Sequence, residues 1–452
     1  MTAPPFYFVT LTQGTWEEAR DCARRLPPEA LPELRLDLFP LEQPEELIRS
    51  LGRACLVTCR RRTDGGAFDG DEHSRLELLV AAAQSRPAWL DLEWELPVPE
   101  GLQARHGHLR LLRSAHVAPG CFDLEARLRD LPPGEAYKWV GHASRLADNA
   151  RVRASLGWAK DRKLFLSAFL MGPKGLPSRC LQAAWGGAFT FAAPDDAPVA
   201  APGQLPLAVM RAWRCHRLHS GHALCGVLGS PVAHSRGPAF HNPRFQAAFK
   251  DLLYLPLECA DPAEAAEALE ALELLGVSLT APLKETLPAQ LGLPGPLNTL
   301  FRRAPGAPWA GANTDAEALA AALAGLEEGP VLVLGDGGVA RSTVQVLAAA
   351  GRPVLCQSRR NPQSEDAVRR FGPVGVIQAT ALGMDAQDPA PFPATLEAAQ
   401  ATARWAVEWI YKEETAFSGW ARAAGCRLLS GAELFAAQAA LQSVHFIREC
   451  GG

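Results

Sequence analysis

Residues 278–285 read SLTAPLKE, 295–300 read GPLNTL and 311–315 read GANTD. The apolar run from Gly276 to Leu279 has the length of a buried strand, and it ends at Thr280. A Pro-bounded turn then presents Lys284, and Asn298 and Asp315 follow on later turns. A lysine and an aspartate brought together beside neutral hydrogen-bonding side chains form a proton-transfer pair. The carboxylate holds the ammonium, and the ammonium supplies or takes the proton of a carbonyl or hydroxyl oxygen. Taken singly, Lys284 reads as a surface lysine and Asp315 as a helix N-cap. Three such polar turns in this order point to a substrate site instead.

Downstream, the apolar strand Val331 to Leu334 meets GDGGVARS and then the helical run TVQVLAAAG. Strand, glycine turn and helix bring backbone N–H groups and a helix N-terminus onto a pyrophosphate. Gly335, Gly337, Gly338, Val339 and Ala340 are the candidate cofactor residues there. The next strand, Val354 to Cys356, runs into Gln357, Ser358, Arg359 and Arg360. An enzyme using NAD places an acid at this point for the ribose 2′-hydroxyl, whereas a serine and two arginines suit a 2′-phosphate. The expected cofactor is NADP.

Across about residues 223 to 450 these motifs resemble shikimate dehydrogenase, whose substrate site is built from VTxPxK, VNT and NTD turns. The resemblance implies that Lys284 and Asp315 are catalytic and that Thr280 and Asn298 bind substrate. It further implies that Ser235, in GSPVAHSRG, grips the substrate carboxylate, and that Tyr411 and Gln438 lie at the substrate cleft. Thr380 and Met384, in IQATALGM, fall on the family's loop beside the nicotinamide. A second serine usual in the carboxylate loop is here Gly237, which is expected to leave room beside the substrate ring.

The first half alternates short apolar runs with helical stretches. Eight runs, from Phe6 to Leu11 through Ala188 to Ala192, predict a parallel (β/α)₈ barrel. In that architecture the chemistry sits at the C-terminal ends of the strands. There ELRLDLF places Glu33, Arg35 and Asp37 on alternate positions of one strand, facing one side. Arg60 and Asp64 follow the third strand, His116 ends the fifth and Lys138 lies within the sixth. Arg179 follows the seventh and Gln204 the eighth. A lysine in a barrel interior near arginines is pushed toward its neutral, nucleophilic form.

Over residues 5 to 213 these residues resemble type I 3-dehydroquinate dehydratase. The resemblance implies a Schiff base on Lys138, proton transfer by His116, and substrate binding by Glu33, Arg35, Arg60, Arg179 and Gln204. Two departures stand out. Asp64 replaces the family's glutamate, and Ala200 a serine.

Composition agrees with a multidomain globular chain: 452 residues, 48% hydrophobic and 21% charged, with a net charge of −4. That balance offers no electrostatic footprint for nucleic acid or an anionic membrane. No run approaches the length of a membrane span, and the start has no signal-peptide pattern. The eleven cysteines form no CxxC pair, so a reducing cytoplasm is expected. Cys215, His216, His219 and His222 match no closed zinc pattern, and the stretch reads as a solvated linker without metal.

The expected organisation is a barrel over 1–214, a linker over 215–222 and a substrate-binding domain over 223–328. A nucleotide-binding Rossmann domain over 329–428 and a C-terminal helix over 429–452 complete it. The expected function is two consecutive reactions on small molecules, 3-dehydroquinate to 3-dehydroshikimate to shikimate, by a monomer or homodimer. A quinate-oxidising fusion with a weak or inactive dehydratase half and a non-catalytic metabolite sensor are the alternatives.

Overall fold

Eight short parallel strands form the barrel: β1 (Tyr7–Thr10), β2 (Ala30–Arg35), β3 (Leu56–Thr58), β4 (Trp89–Glu93), β5 (Arg110–His116), β6 (Ala136–His142), β7 (Phe165–Met171) and β8 (Thr190–Ala192). They pair in sequence from β1 to β7, and β1 also pairs with β8, Tyr7 opposite Thr190. Between β7 and β8 the amide of Ala188 donates to Leu166 O at 2.8 Å, so the barrel is nearly closed. The structure, a computed structural model, describes residues 6–39, 44–103, 109–131, 135–385, 387–411 and 414–450. It divides into two compact units, Met1–Leu274 and Leu275–Gly452.

Side chains on a strand alternate between faces, so every second residue points into the barrel. Phe8, Leu56, Trp89, Leu112 and Ala136 form one buried apolar cluster with Phe189 and Phe191. Two residues further along the same strands stand Thr10, Thr58, Asp91, Ser114 and Lys138. An apolar layer thus floors a polar one at the C-terminal ends, where this architecture places its chemistry. Strand β2 stops at Arg35, so Asp37 is in a turn rather than on the strand.

The stretch after the barrel is only partly solvated, because Cys215 and Leu218 are buried. Tyr7 Oη and His216 Nδ1 are 3.1 Å apart, tying this turn to β1. The first unit ends with two parallel strands, β9 (Ala223–Gly229) and β10 (Leu252–Glu258), followed by the helix Pro262–Ala271.

In the second unit β11 (Gly276–Leu279), β12 (Thr299–Phe301) and β13 (Ala310–Ala312) are antiparallel neighbours. A parallel sheet follows: β14 (Val331–Leu334), β15 (Val354–Gln357), β16 (Gly375–Gln378), β17 (Trp405–Glu408) and β18 (Arg427–Leu429), in the order β15-β14-β16-β17-β18. The direction in which the chain crosses the sheet reverses between β14 and β16, and a crevice at that point is where open α/β sheets bind ligands.

Candidate active sites

A cavity of about 190 Å³ opens at the C-terminal ends of the barrel strands. Glu33, Arg35, Arg60, Asp64, His116, Lys138, Arg179 and Gln204 all line it, so every candidate proposed for the barrel is brought to one place. Lys138 is buried, with Nζ 3.9 Å above the Phe191 ring and 3.9 Å from Asp91 Oδ2. Burial first, and then the Arg60 charge, lower its ammonium to about 8, against the opposing pull of Glu33 and Asp91. His116 ends β5, its backbone paired beside Val140 of the Lys138 strand. Part of its ring is accessible, while Nδ1 is enclosed without a hydrogen-bond partner. Burial, then Arg60 and Lys138, hold it well below the ordinary histidine value, leaving it neutral and ready to take a proton.

Arg179 is the least compensated charge. It is 1% exposed, stacks its guanidinium 4.4 Å from the Phe169 ring, and leaves Nε and Nη2 without acceptors. Burial lowers it to about 10. A buried, unpaired guanidinium lining a cavity is a receptor for a carboxylate, because such a ligand restores the lost hydrogen bonds.

The other cations are held by neighbours. Arg60 donates to Asp91 at 2.7 Å and to Ser114 at 2.9 Å. Arg35 makes a bidentate pair with Asp37 at 2.8 and 2.6 Å, and Asp37 also accepts from the amides of Arg60 and Ala67. Asp37 therefore buttresses Arg35 and the loop after β3 instead of facing substrate. Glu33 accepts from Thr10 at 2.6 Å and Thr58 at 2.8 Å, and Gln204 donates to Thr10 at 3.3 Å. Asp64 is drawn to Arg61 at 2.8 Å while still lining the cavity. Sequence reading missed Asp91, Ser114 and Thr10, each of which holds a site residue from another strand.

A second cavity, of about 360 Å³, is lined by Thr280, Lys284, Asn298, Asp315, Gly338, Val339 and Trp409 among others. Lys284 stands in the first turn of the helix Leu283–Gln290 rather than on a free turn. Asn313 caps the helix Thr314–Leu323 by accepting from Ala316 N, which brings Asp315 into its first turn. Lys284 Nζ donates to Asp315 Oδ2 at 2.7 Å. Asn298 Oδ1 accepts from Thr314 N at 2.8 Å and its Nδ2 donates to Thr314 Oγ1 at 3.0 Å, fixing one turn against the other. Gln438 joins this network, 3.5 Å from Asn298 Nδ2.

Tyr411 is not among the lining residues; it is 40% exposed and its ring packs 5.6 Å from Phe435. Trp409 takes a place there that the sequence did not reveal. Ser235 belongs to the first unit, where its Oγ accepts from Gly237 N at 3.1 Å. The Gly237 position is crowded: a Cβ there would lie 2.8 Å from Tyr254 Cε1 and 3.3 Å from its hydroxyl.

The crevice at the end of β14 has the shape that a pyrophosphate would require. Gly335 has φ +123°, and a Cβ would meet Ala379 O at 2.7 Å, so only glycine lets the end of β14 approach the loop after β16. Gly337 caps the helix Gly338–Ala349, with Val339 and the buried Ala340 in its first turn. Ser358 Oγ accepts from the amides of Arg360 and Asn361, holding a turn on which Arg359 and Arg360 are exposed. Thr380 Oγ1 accepts from Leu382 N at 3.1 Å, and Met384 is exposed on the same loop.

Residues 7–214 match the type I 3-dehydroquinase family model, and 227–292 match the shikimate dehydrogenase substrate-binding domain. A 3-dehydroquinate dehydratase of Dehalococcoides mccartyi is 34% identical over 184 residues, covering 39% of this chain and 82% of that protein. The chain belongs to the type I 3-dehydroquinase family. It joins that barrel to a shikimate-dehydrogenase-like part. The chloroplastic bifunctional 3-dehydroquinate dehydratase/shikimate dehydrogenase of Arabidopsis thaliana is 26% identical over 376 residues, which are 78% of this chain. This chain spans 58% of that relative's length. A shikimate 5-dehydrogenase from Thermus thermophilus, solved with NADP(H) and shikimate, aligns at 29% identity, covering 50% of this chain and 93% of that one, with a TM-score of 0.43.

Outside these cavities His219, His222 and Asp251 converge. His222 Nδ1 accepts from His219 N and His219 Nδ1 accepts from Gly221 N. A neutral ring that accepts at Nδ1 carries its proton on Nε2, the atom turned to Asp251 in both histidines. The three offer ligand atoms within 4.8 Å of one another, a grouping that could hold a metal ion and that the sequence spacing did not reveal. Among the described residues no helix is long and apolar enough to cross a membrane.

Proposed function

We propose that this family member dehydrates 3-dehydroquinate in the barrel and reduces the resulting 3-dehydroshikimate to shikimate, with NADPH, in the second unit. The observation that carries the first reaction is Lys138 lowered to about 8 in a cavity that also holds neutral His116 and unpaired Arg179. Arg179 pairs with the substrate carboxylate and orients the ring. The neutral Lys138 amine attacks the ketone carbon, and loss of water gives an imine. His116 removes the proton from the neighbouring carbon, the imine accepting the electron pair. It then returns that proton to the departing hydroxyl, which leaves as water. Hydrolysis of the imine frees Lys138 and the enone.

For the second reaction, the crevice at Gly335 and Gly337 fits a pyrophosphate, and Arg359 and Arg360 fit a 2′-phosphate. When bound, NADPH supplies the hydride that the ketone carbon takes up. Lys284 donates the proton to the ketone oxygen, and Asp315 keeps its ammonium aimed. Shikimate is favoured over quinate because the product of the first reaction is the ketone whose reduction gives shikimate. Among the described residues the cysteines form no disulfide, which fits a reducing compartment.

The test is to incubate the protein with 3-dehydroquinate, first alone and then with NADPH. Enone absorbance is expected in the first step and cofactor oxidation in the second. Absence of the enone overturns the dehydratase reading, and absence of oxidation with added 3-dehydroshikimate overturns the reductase reading.

A further inference from the structure

The helix Pro262–Ala271 lies beyond the barrel sequence but in the same compact unit. Asp261 caps it by accepting from Glu264 N at 2.7 Å. A glutamate at this third position commonly bends back onto its own cap. Here the Glu264 carboxylate is turned to the barrel instead. Oε2 accepts from Lys174 Nζ at 2.7 Å, and Oε1 accepts from the Leu146 amide at 3.1 Å. Leu146 is on the loop after β6, the strand of Lys138, and Lys174 is on the loop after β7. Two further pairs run alongside, Arg145 with Glu267 and Arg153 with Glu273 at 2.7 Å.

Exposure separates these contacts. Both partners in the Arg145 and Arg153 pairs are more than a third exposed, and such pairs contribute little. The Glu264 side chain is 12% exposed and holds a backbone amide as well as Lys174, so it is much less screened. From Lys174 the chain runs through one tight segment to Arg179. Lys174 O accepts from Asn149 Nδ2 at 2.8 Å, Asn149 Oδ1 accepts from Ser178 N at 3.0 Å, and Ser178 Oγ donates to Gly175 O at 2.8 Å. Arg179 is the next residue, and it lines the cavity.

We propose that Glu264 is a positioning residue for the barrel reaction: a carboxylate from the polypeptide following the barrel clamps the loops after β6 and β7 and so sets Arg179. This rests on the dehydratase reading above. It makes the barrel site depend on the segment fused behind it, because the Arg179 guanidinium has the Phe169 ring but no carboxylate to hold it, and its aim follows the backbone that carries it. A misplacement of about 1 Å in a positioning group costs a large factor in catalysis.

The test is Glu264→Ala in the full chain, a substitution that keeps the Asp261 cap and favours helix. The Michaelis constant for 3-dehydroquinate should rise roughly five- to tenfold with turnover within about twofold, since the clamp sets binding rather than the imine. Amides of residues 172–179 should exchange hydrogen faster, a readout that needs no turnover. The double charge reversal Glu264→Lys with Lys174→Glu should recover slow exchange and much of the binding. Unchanged exchange over 172–179 in Glu264→Ala overturns the clamp, whatever the activity. Faster exchange with an unchanged Michaelis constant overturns the link to Arg179. Should the unaltered protein release no enone, the dehydratase reading fails, while exchange still decides whether Glu264 holds these loops.

Discussion

Lys138 Nζ lies 3.9 Å from the Asp91 carboxylate, and Asp91 is in turn held by Arg60 at 2.7 Å and Ser114 at 2.5 Å. The burial of Asp91 would raise its carboxyl, but Arg60 and then Lys138 outweigh burial and keep it ionised. The lysine is therefore neither bare nor tightly paired. It sits at a lowered value that Asp91 keeps from falling further.

The first prediction is a pH profile. Imine formation needs the neutral amine, whose fraction rises with pH through about 8. Single-turnover imine formation should climb up to that point and then level off, while His116, already neutral, imposes no limb above pH 6.5. Borohydride added with 3-dehydroquinate should trap an adduct on Lys138. Lys138→Ala should abolish dehydration and leave reduction of 3-dehydroshikimate intact. An active Lys138→Ala barrel would exclude the imine.

Asp91→Asn removes a negative charge from beside Lys138 and a partner from Arg60. The midpoint of the imine-formation profile should move to lower pH. Breaking a buried pair by removing one member costs about 3–5 kcal/mol, so thermal unfolding of the barrel should shift down markedly. A midpoint that moves up instead would mean that Asp91 does not act on Lys138.

The role of Asp91 is not legible in the sequence, for a physical reason. WLDLEWE reads as an apolar strand with stray acids, and Asp91, Glu93, Arg60 and Arg75 are all buried because their partners arrive from other elements of the barrel. One sequence carries the strand periods and the residue types, from which the barrel, the glycine turn, Lys138 and the Lys284–Asp315 pair could be read. It does not carry cross-strand geometry, which decides that Arg60 is buried whereas Arg62 is a solvated charge of the same RRR run. The same gap hid Trp409, one of eleven tryptophans with no distinguishing spacing.

In the second unit, Lys284→Ala or Asp315→Asn should lower reductase turnover by about two or more orders of magnitude, within the usual range for a general acid. The Michaelis constant for cofactor should change little. Steady-state rates with 3-dehydroshikimate and NADPH decide it, and near-normal turnover in Lys284→Ala would remove the lysine from the proton path.

Arg359 is exposed beyond β15, on the turn held by Ser358. Arg359→Ala should weaken NADPH binding much more than NADH binding, since only NADPH carries the 2′-phosphate. Titrating both cofactors against intrinsic tryptophan fluorescence measures the difference. Equal losses would show that the arginine only shapes the turn.

Gly237 offers the sharpest test of substrate choice. Restoring the serine found in shikimate dehydrogenases adds a donor for the carboxylate, which on chemistry alone should tighten shikimate. The structure opposes that gain. Gly237 opens the helix Gly237–Ala247 without a positive φ, so its backbone does not demand glycine. The obstacle is space: a Cβ would stand 2.8 Å from the ring of Tyr254, which is 1% exposed and stacked 4.4 Å from the His241 ring. Overfilling a packed site of this kind typically costs about 1–3 kcal/mol. Gly237→Ala, which adds bulk without a donor, should lower thermal stability by about that amount, and Gly237→Ser should do the same. Neither should lower the Michaelis constant for shikimate. If Gly237→Ser binds shikimate more tightly while Gly237→Ala does not, the hydroxyl outweighs the crowding. The glycine is then a specificity choice and not a packing requirement.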